Sequence, residues 1–470
     1  MTKFYLIARL AMMRPPLLIK NALRVATMDD AGTELAGADI LIKGRVILAV
    51  GKDLEAPDDA QVLDARGCVV IPGMVNTHHH LCQTLTRATP AAQDAKLFDW
   101  LVYHYQVWRH LTPEYAALGA QVGLGELLLT GCTTSTDHTY LYPRGLTGLV
   151  DAQIDAARSL GIRFAPTRGS MSVGVSKGGL PPDDCTESEE EILRDGERLI
   201  KEHHDKGPYA MIQIGLAPCA PFSVSTDLMK QTAAQAKKWG VRMHTHLCET
   251  LDEEAYCLEK YKLRPIDFLE SLGWMNDNVW LAHMVHVNDD EIRRLAEAKV
   301  GIAHCPSSNL RLGSGVPPVR KYLDAGVNVG LAVDGSASND TSDMLGEARQ
   351  AMLVHRVKSG VGSMTARQVL RMATRGGAAA LGRDDLGQIA PGKAADLAIF
   401  DVNRLDYAGS AGDPVASLLF CGAGHRTRWT IVNGHIVVEN GTLKNLDEGD
   451  ITRQANAACL DLLKKAGAVA

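Results

Sequence analysis

Short apolar runs alternate with longer amphipathic stretches through the middle of the chain, from about residue 73 to 385. The apolar runs resemble buried strands, and each ends in polar or ionisable residues: CTTSTDH, RFAPTRGS, MIQIGLAPCA, VRMHTHLCE, VWLAHMV, VGIAHCP and VNVGLAVDG. The stretches between them predict helices, for example over 115–130, 146–160, 226–239, 288–298 and 342–357. Repeated strand–helix units of this size predict a parallel sheet covered by helices. Polar residues at strand C-termini favour a (β/α)₈ (TIM) barrel, which carries its chemistry at that end.

Both ends of the chain have a different pattern, with short runs rich in β-branched residues that are broken by Gly and Asp. Such runs predict strands, and they are LLIKNALRVA, ADILIKGRVILAVG and QVLDARGCVVIPG at the start and GQIAPGKAADLAIFDV and RTRWTIVNGHIVVENG after residue 387. A last helix is predicted from about 449 to 467. We therefore expect one smaller β-sandwich domain, assembled from both chain termini beside the barrel. The predicted segments are 13–72 for its first part, 73–386 for the catalytic barrel, 387–445 for its second part and 446–470 for the terminal helix.

Composition and charge narrow the possible partners and compartment. The 470 residues carry 49 Lys and Arg against 55 Asp and Glu, a net charge of −6, and this balance argues against a nucleic-acid polymer as partner. The ten cysteines show no C-x-x-C spacing, which favours reduced thiols and a cytoplasmic protein. Arg9 interrupts the apolar N-terminal run, so residues 1–12 are interpreted as a loose extension rather than a signal peptide. No run reaches the ~18–20 apolar residues that span a bilayer.

Histidines stand at the ends of the predicted strands. In PGMVNTHHHLCQ, His78 and His80 are two residues apart, so their side chains share one face of an extended segment and can reach one metal ion. His79 points the other way and is given no metal role. The other strand ends supply His244, His246, Glu249, His283, His286 and Asp334.

This set of side chains suits a hydrolytic metal site. Neutral imidazoles and a carboxylate are ligands for Zn²⁺ or Fe²⁺, and a metal with an open position lowers the pKa of its water to about 7. Glu249 follows His246 by three residues and would stand at the strand's exit as a proton shuttle. The H-E-x-x-H and G-x-x-x-x-G-K-[ST] motifs of other chemistries are absent from the sequence.

Five motifs in order (PGMVNTHHHLCQ, HTHLCET, LAHMVH, HCPSSNLRLGSG and AVDGSASND) resemble the amidohydrolase superfamily. More narrowly, they resemble its branch of purine and aminotriazine deaminases and hydrolases. The resemblance runs from about residue 18 to 440 and includes PGKAADLAIFD after the barrel. It implies a (β/α)₈ barrel with a composite β-sandwich, and hydrolysis of a C–N bond in a cyclic amidine.

The resemblance also implies roles for individual residues. His78, His80, His246 and Asp334 match the metal ligands, and Asp334 would also accept a proton from the attacking water. Glu249 matches the glutamate that carries this proton to a ring nitrogen. His283 matches the histidine that orients the attacking hydroxide. No lysine stands where two-metal members carry a bridging ligand, so we expect one divalent metal per chain, zinc or iron. His244 and His286 have no ligand counterpart and are interpreted as supporting or packed residues.

Four residues are candidate substrate contacts. Gln83 matches a glutamine that hydrogen-bonds the heterocycle in guanine-type deaminases. Trp100 lies in a segment that could cover the site and stack on a flat ring, or pack its own helix. Arg168 could hold an exocyclic oxygen, with structural pairing as the alternative. Cys219 in LAPCAPFS replaces the histidine of L-A-P-H-A-P in many relatives, which argues against a nucleoside or thioether substrate.

The longer match looks most like the 8-oxoguanine deaminases, whose reaction is attack of a metal-bound hydroxide on the amine-bearing ring carbon, giving urate and ammonia. The expected partner is therefore a free nucleobase, and a homo-oligomer is expected because such assemblies are common in this family. Hydroxyatrazine-type s-triazine aminohydrolases and guanine or isoguanine deaminases remain alternatives. A non-catalytic metal-binding scaffold is disfavoured, since none of the matched residues is lost.

Overall fold

A computed structural model describes residues 15–422 and 424–469 of the chain. The N-terminal extension predicted for residues 1–12 lies outside the described residues. Within the described parts, none of the helices is long and apolar enough to cross a membrane.

The chain termini form two mixed sheets beside the barrel, each with one parallel pair of strands among antiparallel ones. Their strands are β1 (Leu17–Ala22), β2 (Arg24–Ala26), β3 (Glu34–Leu35), β4 (Ala38–Lys43), β5 (Val46–Gly51), β6 (Gln61–Asp64) and β7 (Cys68–Pro72). The barrel supplies the next eight strands, β8 to β15, and the C-terminal part supplies β16 (Leu397–Asp401), β17 (Trp429–Val432), β18 (His435–Glu439) and β19 (Thr442–Leu443). One sheet has the order β5-β4-β1-β6, and the other has the order β19-β18-β17-β16-β7-β2-β3.

Strand β16 joins the two ends of the chain in one sheet. It pairs antiparallel with β7 on one side and with β17 on the other. Ile19, Val70, Leu397 and Ile431 are fully buried in one apolar cluster shared by the two sheets. The predicted composite sheet domain is thereby confirmed, whereas the residue limits given for the four segments stay predictions.

Eight parallel strands form the barrel, in the order of the sequence. They are β8 (Met74–Asn76), β9 (Cys132–Thr139), β10 (Arg163–Ser170), β11 (Gly215–Pro218), β12 (Met243–Leu247), β13 (Val279–His283), β14 (Gly301–His304) and β15 (Val329–Leu331). Hydrogen bonds from Thr77 N–H to the Leu331 carbonyl (3.1 Å) and from Asp334 N–H to the His78 carbonyl (3.2 Å) bring the first and last strands together. The predicted (β/α)₈ barrel is confirmed.

Helices cover the outside of the barrel and its C-terminal end. They are α1 (Leu97–Trp108), α2 (Pro113–Leu129), α3 (Leu149–Leu160), α4 (Glu189–His203), α5 (Thr226–Trp239), α6 (Leu251–Tyr261), α7 (Pro265–Ser271), α8 (Asp289–Glu297), α9 (Pro306–Arg311), α10 (Val319–Asp324), α11 (Met344–Ser359), α12 (Ala366–Arg371), α13 (Gly377–Ala380), α14 (Pro414–Phe420) and α15 (Glu448–Lys465). A π-helical turn covers Met372–Gly376, and short 3₁₀ turns cover Leu81–Thr86, Pro90–Ala92, Pro143–Gly145, Val175–Lys177, Asp183–Cys185 and Leu405–Tyr407.

The terminal helix α15 supports the segment that covers the C-terminal end of the barrel. Leu462 of α15 is fully buried in the same apolar cluster as Trp100 and Trp108 of α1. The helix begins at Asp447, whose carboxylate accepts the N–H of Asp450, the usual arrangement of an N-cap. Both ends of the chain therefore contribute to the sheet domain, and the C-terminal end also packs against the segment that covers the C-terminal end of the barrel.

Candidate active site

The predicted metal ligands meet at the C-terminal end of the barrel. His78 and His80 follow β8, His246 lies within β12, and Asp334 follows β15 by three residues. The Nε2 atoms of His80 and His246 are 3.1 Å apart. Asp334 Oδ1 lies 3.3 Å from His78 Nε2 and 3.5 Å from His80 Nε2. All four side chains are buried.

Backbone carbonyls determine which ring nitrogen carries the proton in two of these histidines. His80 Nδ1 lies 2.8 Å from the His138 carbonyl oxygen, and His246 Nδ1 lies 2.7 Å from the Cys219 carbonyl oxygen. A carbonyl oxygen only accepts, so each Nδ1 donates its proton and each Nε2 keeps a lone pair. Burial lowers the pKa of both rings, which favours the neutral form that binds metals.

His78 reaches the same state through a second histidine. Its Nδ1 lies 2.7 Å from His244 Nε2, and His244 Nδ1 lies 2.8 Å from the Trp280 carbonyl oxygen. Since His244 donates from Nδ1, its Nε2 accepts, and His78 must donate from Nδ1. The lone pair of His78 Nε2 is then free; this buried atom has no hydrogen-bond partner among the described residues. A lone pair left unpaired in a desolvated cluster of imidazoles and a carboxylate fits a bound divalent metal.

His138, at the end of β9, joins this cluster, although the sequence analysis gave it no role. Its ring stacks on that of His246, with centroids 4.7 Å apart and planes 18° from parallel. Its Nε2 lies 2.8 Å from the Ala217 carbonyl oxygen, and its buried Nδ1 has no partner among the described residues. One of its ring nitrogens lies within 4.8 Å of ligand atoms of His78, His80 and His246. The strand pattern CTTSTDH, which ends in this histidine, was the available signal.

Glu249 and His283 stand together at the edge of the cluster. His283 Nε2 lies 3.5 Å from Glu249 Oε2 and 3.9 Å from Asp334 Oδ2. His283 Nδ1 lies 2.9 Å from Asn309 Oδ1, and the Ser314 hydroxyl donates to Glu249 Oε1 at 3.3 Å. Burial raises the pKa of Glu249. Burial alone would lower the pKa of His283, but the carboxylates of Glu249 and Asp334 outweigh it and raise that pKa.

A mostly apolar cavity opens above these groups. Its apolar walls include Leu97, Trp100, Leu101, Phe222 and Leu312, and its polar positions include Gln83, Tyr140, Cys219 and Ser338. The Gln83 side-chain amide lies 3.5 Å from the Tyr140 hydroxyl, while its Oε1 is buried without a partner among the described residues. Trp100 donates its indole N–H to the Ala337 carbonyl at 3.2 Å. Gln83, Trp100 and Cys219 thus line the cavity, and their contact with a substrate stays a prediction.

Arg168 lies elsewhere, and its expected contact with a substrate oxygen needs correction. Its guanidinium, almost fully buried, donates to both carboxylate oxygens of Glu187, at 2.6 and 2.9 Å, and to Asp195 of α4 at 2.9 Å. It also lies 3.6 Å from the centre of the Tyr142 ring. The side chain therefore points from β10 towards the helices, and structural pairing, the alternative, fits its position.

Three further histidines also lie outside the cluster of ring nitrogens. His79 Nε2 lies 3.1 Å from the Ser342 hydroxyl. His286 Nε2 lies 2.9 Å from the Ser314 carbonyl oxygen. His244 contacts the cluster through its hydrogen bond to His78 and through its ring, which lies edge-on to that of His138 with centroids 5.2 Å apart, and this makes it a supporting group.

Comparison with known proteins agrees with this fold. The family model described as "Amidohydrolase family" matches residues 69–437. The chain belongs to the amidohydrolase family. An 8-oxoguanine deaminase from Pseudomonas aeruginosa is 47% identical over 95% of this chain and 98% of its own. A hydroxydechloroatrazine ethylaminohydrolase from Pseudomonas sp. (strain ADP) is 36% identical over 92% of this chain and 93% of its own.

Solved amidohydrolases share the whole architecture. The crystal structure of an atrazine chlorohydrolase from Arthrobacter aurescens TC1, complexed with zinc, superposes with a TM-score of 0.90 at 38% identity. The match covers 94% of this chain and 100% of the chlorohydrolase chain. As an amidohydrolase with deaminase relatives, this protein is a hydrolase that acts on C–N bonds.

Proposed function

We propose that this amidohydrolase deaminates 8-oxoguanine hydrolytically, giving urate and ammonia. The choice of 8-oxoguanine as substrate rests on the 47% identity to an 8-oxoguanine deaminase, which extends over nearly the full length of both chains. The buried pair of Glu249 and His283, beside an imidazole cluster and under a narrow apolar cavity, suits a flat heterocycle.

The cofactor in this proposal is one divalent metal per chain, with zinc favoured over iron. His78, His80, His246 and Asp334 would hold it, and the convergence of their lone pairs supports this assignment. Zinc is favoured because it is present in a solved relative. When bound, such a metal lowers the pKa of a coordinated water to about 7 and so supplies a nucleophile at neutral pH.

The protein's own groups would then move the protons. Asp334 accepts a proton from the attacking water, and Glu249 delivers a proton to the ring nitrogen next to the amine-bearing carbon. The raised pKa of Glu249 helps it to hold a proton before it donates. His283, held through Nδ1 by Asn309, orients the attacking oxygen. One water is consumed: one of its protons reaches the ring nitrogen through Glu249, and the proton taken by Asp334 passes to the amine, which leaves as ammonia.

Binding of the ring is assigned to three cavity residues. Gln83 offers an unpartnered carbonyl oxygen to a ring N–H, Trp100 offers a flat wall, and Cys219 provides a small side chain where a histidine would narrow the cavity. Arg168 has no part in this proposal because its guanidinium is already paired.

The assay is ammonia release from a panel of 8-oxoguanine, guanine, isoguanine and a hydroxylated s-triazine. We expect 8-oxoguanine to have the highest kcat/KM, and no turnover of any oxopurine would refute the proposal. The triazine is included because a triazine aminohydrolase and a chlorohydrolase are close relatives.

The role of Glu249 is tested separately. Glu249→Gln should lower kcat by about 10²–10⁴-fold, the usual contribution of a general acid–base, while the metal content stays at one per chain. Glu254→Gln, whose carboxylate instead pairs with Arg264 at 2.6 Å, is the matched control. Near-wild-type kcat in Glu249→Gln would contradict the shuttle role.

We further propose a cytoplasmic homo-oligomer. No disulfide joins the described cysteines, and eight of the ten are buried, which suits a reducing compartment. Light scattering on the purified protein measures its oligomeric state directly.

A further inference from the structure

The turn that carries Glu249 has an unfavourable backbone conformation. Strand β12 ends at Leu247, and the next residue, Cys248, has φ of 54°. Left-handed backbone is unfavourable for a residue with a Cβ, because the Cβ lies too close to the following carbonyl oxygen. Other contacts must therefore keep the turn in this conformation, because the direction of the Glu249 side chain depends on it.

One buried carboxylate holds both peptide N–H groups of this turn. Cys248 N–H donates to Glu253 Oε1 at 2.8 Å, and Glu249 N–H donates to Glu253 Oε2 at 3.0 Å. Glu253 is 1% exposed, and no Lys, Arg or His lies within ion-pair distance of it among the described residues. Burial raises the pKa of Glu253 to about 7, and the two backbone donors partly oppose this rise because they favour the ionised carboxylate.

Glu253 itself stands on a rigid support. It lies in the first turn of α6, where the Thr250 hydroxyl caps the helix and accepts Glu253 N–H at 3.3 Å. The opposite side of the turn is also fixed, because the Cys248 carbonyl accepts the N–H groups of Val285 and His286, both at 2.9 Å. The turn is therefore held between α6 and the segment that follows His283.

We propose that Glu253 is a positioning residue for the proton shuttle, and that it acts only through the Glu249 backbone. By holding the two N–H groups, it keeps the left-handed turn and with it the Glu249 carboxylate 3.5 Å from His283. Glu253 does not line the cavity, so it touches neither the ring nor the reacting atoms. This inference rests on the proposed function, since it requires Glu249 to shuttle the proton.

A double-mutant cycle tests this role. In Glu253→Gln the side-chain NH₂ meets a backbone N–H, so one of the two hydrogen bonds is lost. We expect kcat for 8-oxoguanine to fall about 10–50-fold, with KM changed less than about threefold, because the turn has lost a buried hydrogen bond that holds the Glu249 carboxylate near His283. In a Glu249→Gln background the same substitution should lower kcat by less than about threefold, because nothing remains to be positioned.

Three comparisons make the test decisive. Glu254→Gln, on the same turn of α6, should leave kcat unchanged in both backgrounds. Glu253→Asp keeps the charge but shortens the side chain by one methylene; it replaces Glu253→Gln in the cycle if that variant does not fold. Metal content and the unfolding midpoint are measured for every variant, so that loss of metal or of fold is separated from loss of positioning.

The two proposals fail in different ways. An equal loss of kcat from Glu253→Gln in both backgrounds overturns the positioning role and leaves the shuttle role intact. Wild-type kcat in Glu253→Gln, with the fold retained, also overturns the positioning role alone. Wild-type kcat in Glu249→Gln overturns the shuttle role and the positioning role together.

Discussion

Replacing His244 by phenylalanine removes the hydrogen bond that fixes the tautomer of His78. The ring of His244 stacks on Trp280, with centroids 4.5 Å apart and planes 15° from parallel, and phenylalanine keeps an aromatic ring in that place. The substitution removes the acceptor 2.7 Å from His78 Nδ1, and it also removes the Nδ1 donor to the Trp280 carbonyl oxygen. In the metal-free variant, His78 can move its proton to Nε2, which lies 3.3 Å from Asp334 Oδ1.

The expected loss of zinc affinity follows from that exchange of tautomers. Metal binding forces the proton back to Nδ1, where it is buried and without an acceptor. An unsatisfied buried donor costs about 1–3 kcal/mol, and each 1.4 kcal/mol is tenfold in affinity, so Kd for Zn²⁺ should rise about 5–150-fold. Loss of comparable partners of metal-bound histidines typically costs about 10–100-fold in affinity.

Competition with a zinc chelator measures this Kd, and the unfolding midpoint controls for the fold. The matched control is His355→Phe, which breaks another buried histidine pair, with His355 Nε2 2.9 Å from His304 Nε2, and should leave Kd unchanged. If the folded His244→Phe variant binds Zn²⁺ within about twofold of wild type, the argument that backbone-anchored tautomers prepare the site is wrong.

Two further substitutions test the cavity and the contact between the domains. A Cβ at Gly335 would lie 1.8 Å from Gln83 Oε1, so Gly335→Ala should displace that amide and raise KM for 8-oxoguanine about 5–10-fold, the worth of one hydrogen bond. Steady-state kinetics measures this KM, and Gly362→Ala, with open space around it, is the control. An unchanged KM in Gly335→Ala would refute the contact. Arg163 makes a buried two-point ion pair with Asp396 through two hydrogen bonds of 3.0 Å, so urea unfolding should show Arg163→Met to be about 3–5 kcal/mol less stable. The exposed ion pair of Arg293 should contribute under about 1 kcal/mol. Equal losses of unfolding free energy at the two arginines would contradict this expectation.

The sequence predicted the parts of the site that follow from strand periodicity. His78 and His80 share a face because alternate residues of an extended chain do, and strand ends of a parallel barrel converge whatever their separation in sequence. Arg168 shows the limit of this reasoning. Polar residues at a strand end can face the cavity or the helices, and the two acidic groups that pair with Arg168 come from distant segments. Only the packed structure distinguishes these directions.

The tautomers were equally inaccessible from sequence. They depend on carbonyl oxygens of His138, Cys219 and Trp280, and a backbone carbonyl is present at every residue. His138 carried the same signal as the predicted ligands, a histidine at a strand end, but no partner two residues away marked it. Its place in the cluster follows from the stacking on His246.

Backbone strain at the ends of the barrel strands links catalysis to stability. Cys248, His283 and Asp334 have φ of 54°, 72° and 62°, values that together cost roughly 3–6 kcal/mol in residues with a Cβ. Glycine would relieve the strain but could supply neither the imidazole nor the carboxylate. The compensation must therefore come from neighbours: Glu253 for Cys248, and for Asp334 the His78 carbonyl, which accepts its N–H at 3.2 Å. It follows that Glu253, one of the residues that hold the site together, lies outside the motifs that identify it, and that the hydrogen bond which brings the first and last strands together also links two of the proposed metal ligands, His78 and Asp334.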